Sequence, residues 1–132
     1  MNNETIQIDQ SHQPTQQQVH SFVENMKRAY LWDGPMDSEN DRRAVERMIV
    51  TMPVTLTPLD DEFRPLGYQF EAISRDLSCA GIGMMTTNPL GKYRVLLTLR
   101  PYQGEPFNVM AEISYCNDHG YYFQVGCKFL TA

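Results

Sequence analysis

Two clusters of side chains in this sequence have the chemistry to hold a phosphorylated purine. The first is Arg42-Arg43-Ala44-Val45-Glu46-Arg47, a doubled arginine with a third four residues on. A guanidinium is a planar fork of donors that matches a phosphate, or the O6 and N7 edge of guanine, with two parallel hydrogen bonds. It also stacks on purine faces and keeps its charge. The second cluster is Asp76-Leu77-Ser78-Cys79-Ala80-Gly81. A carboxylate at Asp76 accepts from guanine N1–H and N2–H2, a donor pair that adenine lacks, and Ser78 offers a hydroxyl to a phosphate oxygen. Gly81 allows a positive φ, or a close approach of backbone to ligand, at the turn. Either cluster alone is a weak signal. Together, about thirty residues apart and in this order, they specify a guanine nucleotide better than either does singly.

The elements that must position these clusters are short strands. Val50–Leu56, Tyr68–Ile73, Gly81–Met85, Tyr93–Leu99, Phe107–Cys116 and Tyr121–Phe129 are β-rich. They are separated by Pro65-Leu66-Gly67, Asn88-Pro89-Leu90-Gly91, Pro101–Pro106 and Asn117-Asp118-His119-Gly120, the last a strong hairpin turn. Pro53 suits an edge or a bulge better than a central strand. Six such strands predict a small antiparallel barrel or sandwich. The arginines stand just before the first strand, and Asp76–Gly81 forms a turn between the second and third.

Ahead of the strands, residues 14–33 predict one amphipathic helix, with Pro14 in its first turn and Val19, Phe22, Val23, Met26 and Tyr30 at helical spacing. That stripe suits core packing, with a partner-binding or self-association face as the other use. Residues 1–13, rich in Asn, Gln and Ser, read as a disordered tail, and 34–41 as a charged linker. The domain proper is 42–132.

Composition narrows the function. The net charge is −5, and the first forty residues hold two bases against six acids. A cationic cluster at Arg42, Arg43 and Arg47 in an acidic protein fits one compact anionic ligand rather than DNA or RNA. No stretch has the roughly 18 apolar residues of a membrane span, and the polar start lacks the features of a signal peptide, so cytoplasm is the expected compartment. Cys79, Cys116 and Cys127, with no CxxC spacing, read as reduced thiols acting as small hydrophobes, and no metal site is expected. The eight methionines read as core gap-fillers. Asp60-Asp61 has no nearby His, Ser78 has no evident base, and no Walker or Rossmann glycine pattern occurs, so no enzyme activity is expected.

On Arg43-x3-Arg47, Asp76-x-Ser78-x-x-Gly81 and the closing strand Val125-Gly126-Cys127-Lys128-Phe129, the chain resembles the PilZ family of cyclic di-GMP receptors over roughly residues 41–129. The resemblance implies a mainly β fold, a six-stranded antiparallel β-barrel, here with an N-terminal amphipathic α-helix. It implies that Arg43 and Arg47 clamp guanine and phosphate, that Asp76 reads the guanine edge, and that Ser78 and Gly81 close the site. An arginine just before the motif, here Arg42, implies two stacked cyclic di-GMP molecules per protomer. Tyr115, shortly before the last hairpin turn, stands where related domains present an aromatic ring to a guanine face. The C-terminal helix often found in the family is not expected after the last strand, nor is an output module expected beside the domain.

The expected function is therefore that of a stand-alone cyclic di-GMP receptor whose Arg42–Arg47 segment orders on the ligand and signals to an effector protein. The competing readings are a protein-interaction adaptor with a barrel that does not bind nucleotide, and a single-strand nucleic-acid binder, which the acidic balance disfavours.

Overall fold

The computed structural model describes residues 13–29, 47–91 and 93–132. The expected tail, the linker, Tyr30 and the arginines Arg42 and Arg43 lie outside the described residues.

Helix α1 spans Gln16–Ala29. It starts two residues later than expected because Thr15 is its cap. Thr15 Oγ1 accepts the Gln18 N–H at 3.1 Å while Gln18 Oε1 accepts the Thr15 N–H at 2.8 Å, a reciprocal capping box with Pro14 just outside it. Lys27 and Arg28 occupy the last turn, where cations complement the helix dipole.

Among the described residues there are seven strands: β1 Met48–Ile49, β2 Pro53–Leu59, β3 Phe70–Leu77, β4 Gly81–Thr86, β5 Arg94–Leu99, β6 Phe107–Asp118 and β7 Phe123–Leu130. All pairings are antiparallel, in the order β3-β2-β5-β6-β7-β4, and a β3–β4 pairing closes the ring into a six-stranded barrel. β1 is an addition that pairs with the far end of β3. Thus the first strand expected from the sequence, Val50–Leu56, begins three residues later and runs on to Leu59, with Val50–Met52 linking it to β1. Pro53 opens β2, a position that a residue without an N–H tolerates.

β3 bends to serve two neighbours. Its first half pairs with β2 and its second half with β4. Where β3 and β4 diverge, the Thr86 hydroxyl donates to the Glu71 carbonyl at 2.9 Å and patches the seam.

The barrel is filled by alternate residues of each strand, among them Val54, Leu56, Ala72, Met84, Val95, Leu97, Leu99, Val109 and Val125. Met26, Met48, Met52, Met84 and Met110 are buried, in keeping with the gap-filling role of methionine. Helix α1 plugs one end. Val19, Val23 and Met26 join the core, and Phe22 stacks on Phe107 with centroids 4.4 Å apart. The helical stripe therefore faces the barrel. Among the described residues no helix is long and apolar enough to cross a membrane.

Among the described residues no disulfide joins the three cysteines. Only Cys127 is fully buried, and burial pushes its thiol up to about 12. Cys79 and Cys116 are partly exposed.

Candidate ligand-binding site on the outer barrel wall

Asp76 does not begin a turn, as the sequence suggested. It is still in β3, and the reversal to β4 is made by Ser78–Ala80. Its outward direction comes from a β-bulge. Ser74 pairs with Met84 and Asp76 with Gly83, so Arg75 is an extra residue on β3. Ser74 and Leu77 point into the barrel while Arg75 and Asp76 both turn outward. Bulges commonly re-aim a side chain in this way beside a functional site.

The Asp76 carboxylate meets Arg47. Arg47 Nη1 lies 2.6 Å from Asp76 Oδ1, with the arginine side chain 46 % exposed and the aspartate 23 %. An ion pair this open to water contributes about 0–1 kcal/mol, so it is easily exchanged for another partner. Of the expected arginine cluster, this is the member that the structure brings to the second motif.

Ser78 and Gly81 shape the turn. Ser78 is buried, and its Oγ accepts the Ala80 N–H at 3.1 Å and the Gly81 N–H at 3.2 Å. It lies 3.4 Å from the Gly81 carbonyl, to which it can donate. The hydroxyl that the sequence offers to a phosphate is thus held inside its own turn. A Cβ on Gly81 would run into the Cys127 carbonyl oxygen, so glycine is required there by the approach of β7.

The registers place five positions in one row. Ile49 pairs with Asp76, Asp76 with Gly83, Gly83 with Gly126, and Gly126 with Tyr115. Tyr115 also owes its direction to a bulge: Ile113 pairs with Cys127 and Tyr115 with Gly126, leaving Ser114 as the extra residue. Without it, alternation from the buried Ile113 would send Tyr115 inward. Instead its ring lies against Gly126, where an added Cβ would collide with it, and 41 % of Tyr115 is exposed. Gly83 lies likewise under the Asp76 carboxylate, whose Oδ1 would be 3.0 Å from a Cβ.

The result is a shallow seat on the outer wall. Two buried glycines form its floor, with the Asp76 carboxylate, paired to Arg47, lying over Gly83 and the Tyr115 ring lying over Gly126. Three strand spacings, about 14 Å along the sheet, separate the backbones of Asp76 and Tyr115. Directly paired residues share one face, so both side chains border the same surface.

Sequence reasoning missed Gly83, Gly126 and Ile49, which is 80 % exposed at the edge beyond Asp76. A signal for the floor was present in Gly81-x-Gly83 and Gly126, since isolated strand glycines mark close approach. Of the acidic pair Asp60-Asp61, Asp60 caps a separate loop. Asp60 accepts backbone N–H groups of Glu62 and Arg64 at 2.8 and 2.9 Å, which together with the Arg64 side chain holds its carboxyl below the usual value. The left-handed Phe63 of this loop (φ 64°) covers Leu59 and Met110, with the Arg94 guanidinium 4.8 Å above its ring.

Compared with known proteins, the chain matches no family model and no curated protein sequence. Solved structures do match. The PilZ domain of YcgR from Escherichia coli, a structure with c-di-GMP, has a TM-score of 0.51 at 15 % identity, covering 68 % of this chain and 79 % of that one. The barrel is PilZ-like. A second PilZ-like neighbour is the Bacillus subtilis inhibitor of motility MotI/DgrA, with a TM-score of 0.53 at 17 % identity and 70 % of this chain covered. The present chain spans 44 % of the MotI/DgrA chain, so the likeness is to part of that protein. In the PilZ-like frame the helix stands before the barrel, at the end carrying the Ser78–Gly81 turn: Gln16 Nε2 donates to the Cys79 carbonyl at 3.4 Å, and His20 Nδ1 lies 3.4 Å from Cys79 Sγ.

Proposed function

We propose that this chain is a cyclic di-GMP receptor of the adaptor kind, and that the outer seat between Asp76 and Tyr115 is its ligand site. The observation that carries the reading is the meeting of the Arg47 guanidinium and the Asp76 carboxylate at 2.6 Å beside a floor of two glycines. Guanine presents donors for Asp76 and acceptors for arginine, and its face suits Tyr115. The diester phosphates are the partners proposed for the remaining arginines, Arg43 and Arg42. With three arginines, two ligand molecules per protomer can be accommodated electrostatically. Ser78 and Gly81 act by shaping the turn; Ser78 would reach a phosphate only by releasing the Gly81 carbonyl.

Exchange of partners at Asp76 is energetically easy. The screened Arg47 pair is worth at most about 1 kcal/mol, whereas each hydrogen bond to a charged group contributes about 1.5–3 kcal/mol. Closure of the Arg42–Arg47 segment onto the phosphates would change the surface shown to an effector protein. Such a site performs no chemistry on its ligand, which accords with a role as receptor.

Calorimetric titration with cyclic di-GMP tests this. Arg47→Ala and Arg43→Ala should each weaken binding by about one to two decades, and added salt should weaken it further. Parent-like binding by both variants would overturn the site. The competing adaptor reading draws on the same ion pair, because Arg47 and Asp76 satisfy each other. It predicts partner capture undiminished in Arg43→Ala and unaffected by the nucleotide.

A further inference from the structure

The ladder along one edge of β3 is interrupted. β1 pairs with Leu77 and Asp76, β2 pairs only from Ile73 back to Phe70, and Val50–Met52 bridge the gap between β1 and β2. One side chain fills that gap. Ser74 is 0 % exposed, its hydroxyl accepts the Met52 N–H at 2.9 Å, and it donates to the Val50 carbonyl at 2.6 Å. The Ser74 N–H in turn donates to the Met52 carbonyl at 2.9 Å, and the Val50 N–H reaches the Arg75 carbonyl at 3.3 Å.

We infer that Ser74 is a positioning residue for the ligand site, its buried hydroxyl fixing the strand that carries Arg47 against the strand that carries Asp76. Three observations converge on it. β1 is only two residues long, so its own ladder holds Arg47 weakly in place. Ser74 is also the last regular pair before the bulge that turns Asp76 outward. And a hydroxyl at an inward position, among Val50, Met52, Ala72 and Met84, is a poor choice for packing alone. Both groups it serves are buried backbone groups that would otherwise lack partners in a dry interior. Removing the hydroxyl leaves the barrel filled but frees the short strand, and with it the arginine, to shift.

The inference rests on the cyclic di-GMP reading for its affinity test, but not for its structural one. In titrations with cyclic di-GMP, Ser74→Ala should bind roughly tenfold more weakly than the parent, and Ser74→Cys, which keeps the volume with a poor hydrogen-bonding group, should follow it. The double variant with Arg47→Ala should bind no more weakly than Arg47→Ala alone. Val95→Ala, a core change in a regular strand, should lower the melting temperature at least as much yet bind like the parent. Parent-like affinity in Ser74→Ala, or an equal loss in Val95→Ala, would overturn the assignment.

Should the parent itself fail to bind, the functional reading falls and amide exchange decides. Faster exchange at Val50 and Met52, with a shifted Arg47 Nε–H signal, in Ser74→Ala but not Val95→Ala supports positioning. Unchanged spectra refute it.

Discussion

The two walls of the barrel are built differently. In the wall formed by β2, β5 and β6, pairing runs without a shift from Val54↔Leu99 to Leu59↔Arg94 and from Arg94↔Glu112 to Leu99↔Phe107. Its inner residues Leu56, Val95, Leu97 and Val109 are wholly buried. The wall formed by β3, β4, β7 and the far half of β6 contains two register shifts and the glycines Gly81, Gly83 and Gly126. Irregularity is concentrated where side chains must face outward at chosen places, while regular pairing supplies the stability that tolerates it.

If that division is right, substitutions in the two walls should separate stability from binding. Leu97→Ala, in the regular wall, should destabilise the fold by about 2–5 kcal/mol in denaturant titration and leave the affinity of the folded protein unchanged. A large loss of affinity would break the comparison. Gly81→Ala forces a methyl into the Cys127 carbonyl and should lower stability by about 1–3 kcal/mol while also impairing the ligand site, since it strains the turn next to Asp76.

Tyr115→Ala should leave the melting temperature almost unmoved and weaken cyclic di-GMP by about 1–2 kcal/mol, the scale of one lost base–aromatic stack. Gly126→Ala, which displaces the same ring, should reproduce that loss; full affinity in both variants would remove Tyr115 from the seat.

The smallest effect is expected at the Asp60 loop, away from the seat. Backbone N–H donation from Arg64 lowers the Asp60 pKa below its ordinary 3.8, so the loop's stabilisation is present above that value and is lost as pH falls through the lower folded one. The Glu62 and Arg64 amide shifts should titrate with a midpoint below 3.8, with ligand-site signals unaffected by that titration. A midpoint at or above 3.8 would contradict it.

Much of this was legible from residue order, because period-2 patterning and turn residues mark strands locally. The last hairpin followed from such marks, the helix from its apolar spacing, and the meeting of Arg47 with Asp76 from the two charged motifs. What escaped depends on registers between strands. Ser74-Arg75-Asp76 looks like the end of a strand because it is polar throughout, yet β3 continues to Leu77, since Ser74 satisfies backbone groups inside and the bulge sends the next two residues out. Tyr115 reads as inward from Ile113 unless the extra Ser114 is known. Gly83 and Gly126 are more than forty residues apart, and only their pairing makes them a floor.

Closure of the ring has a further consequence. Every long strand has hydrogen-bonded neighbours on both sides, and among the described residues the outermost strand is the two-residue β1. Where both sides of a strand are paired, recruitment by adding a strand, one route by which a foreign peptide docks on a β-sheet, finds no backbone to grip. Along those stretches a partner meets side chains rather than backbone.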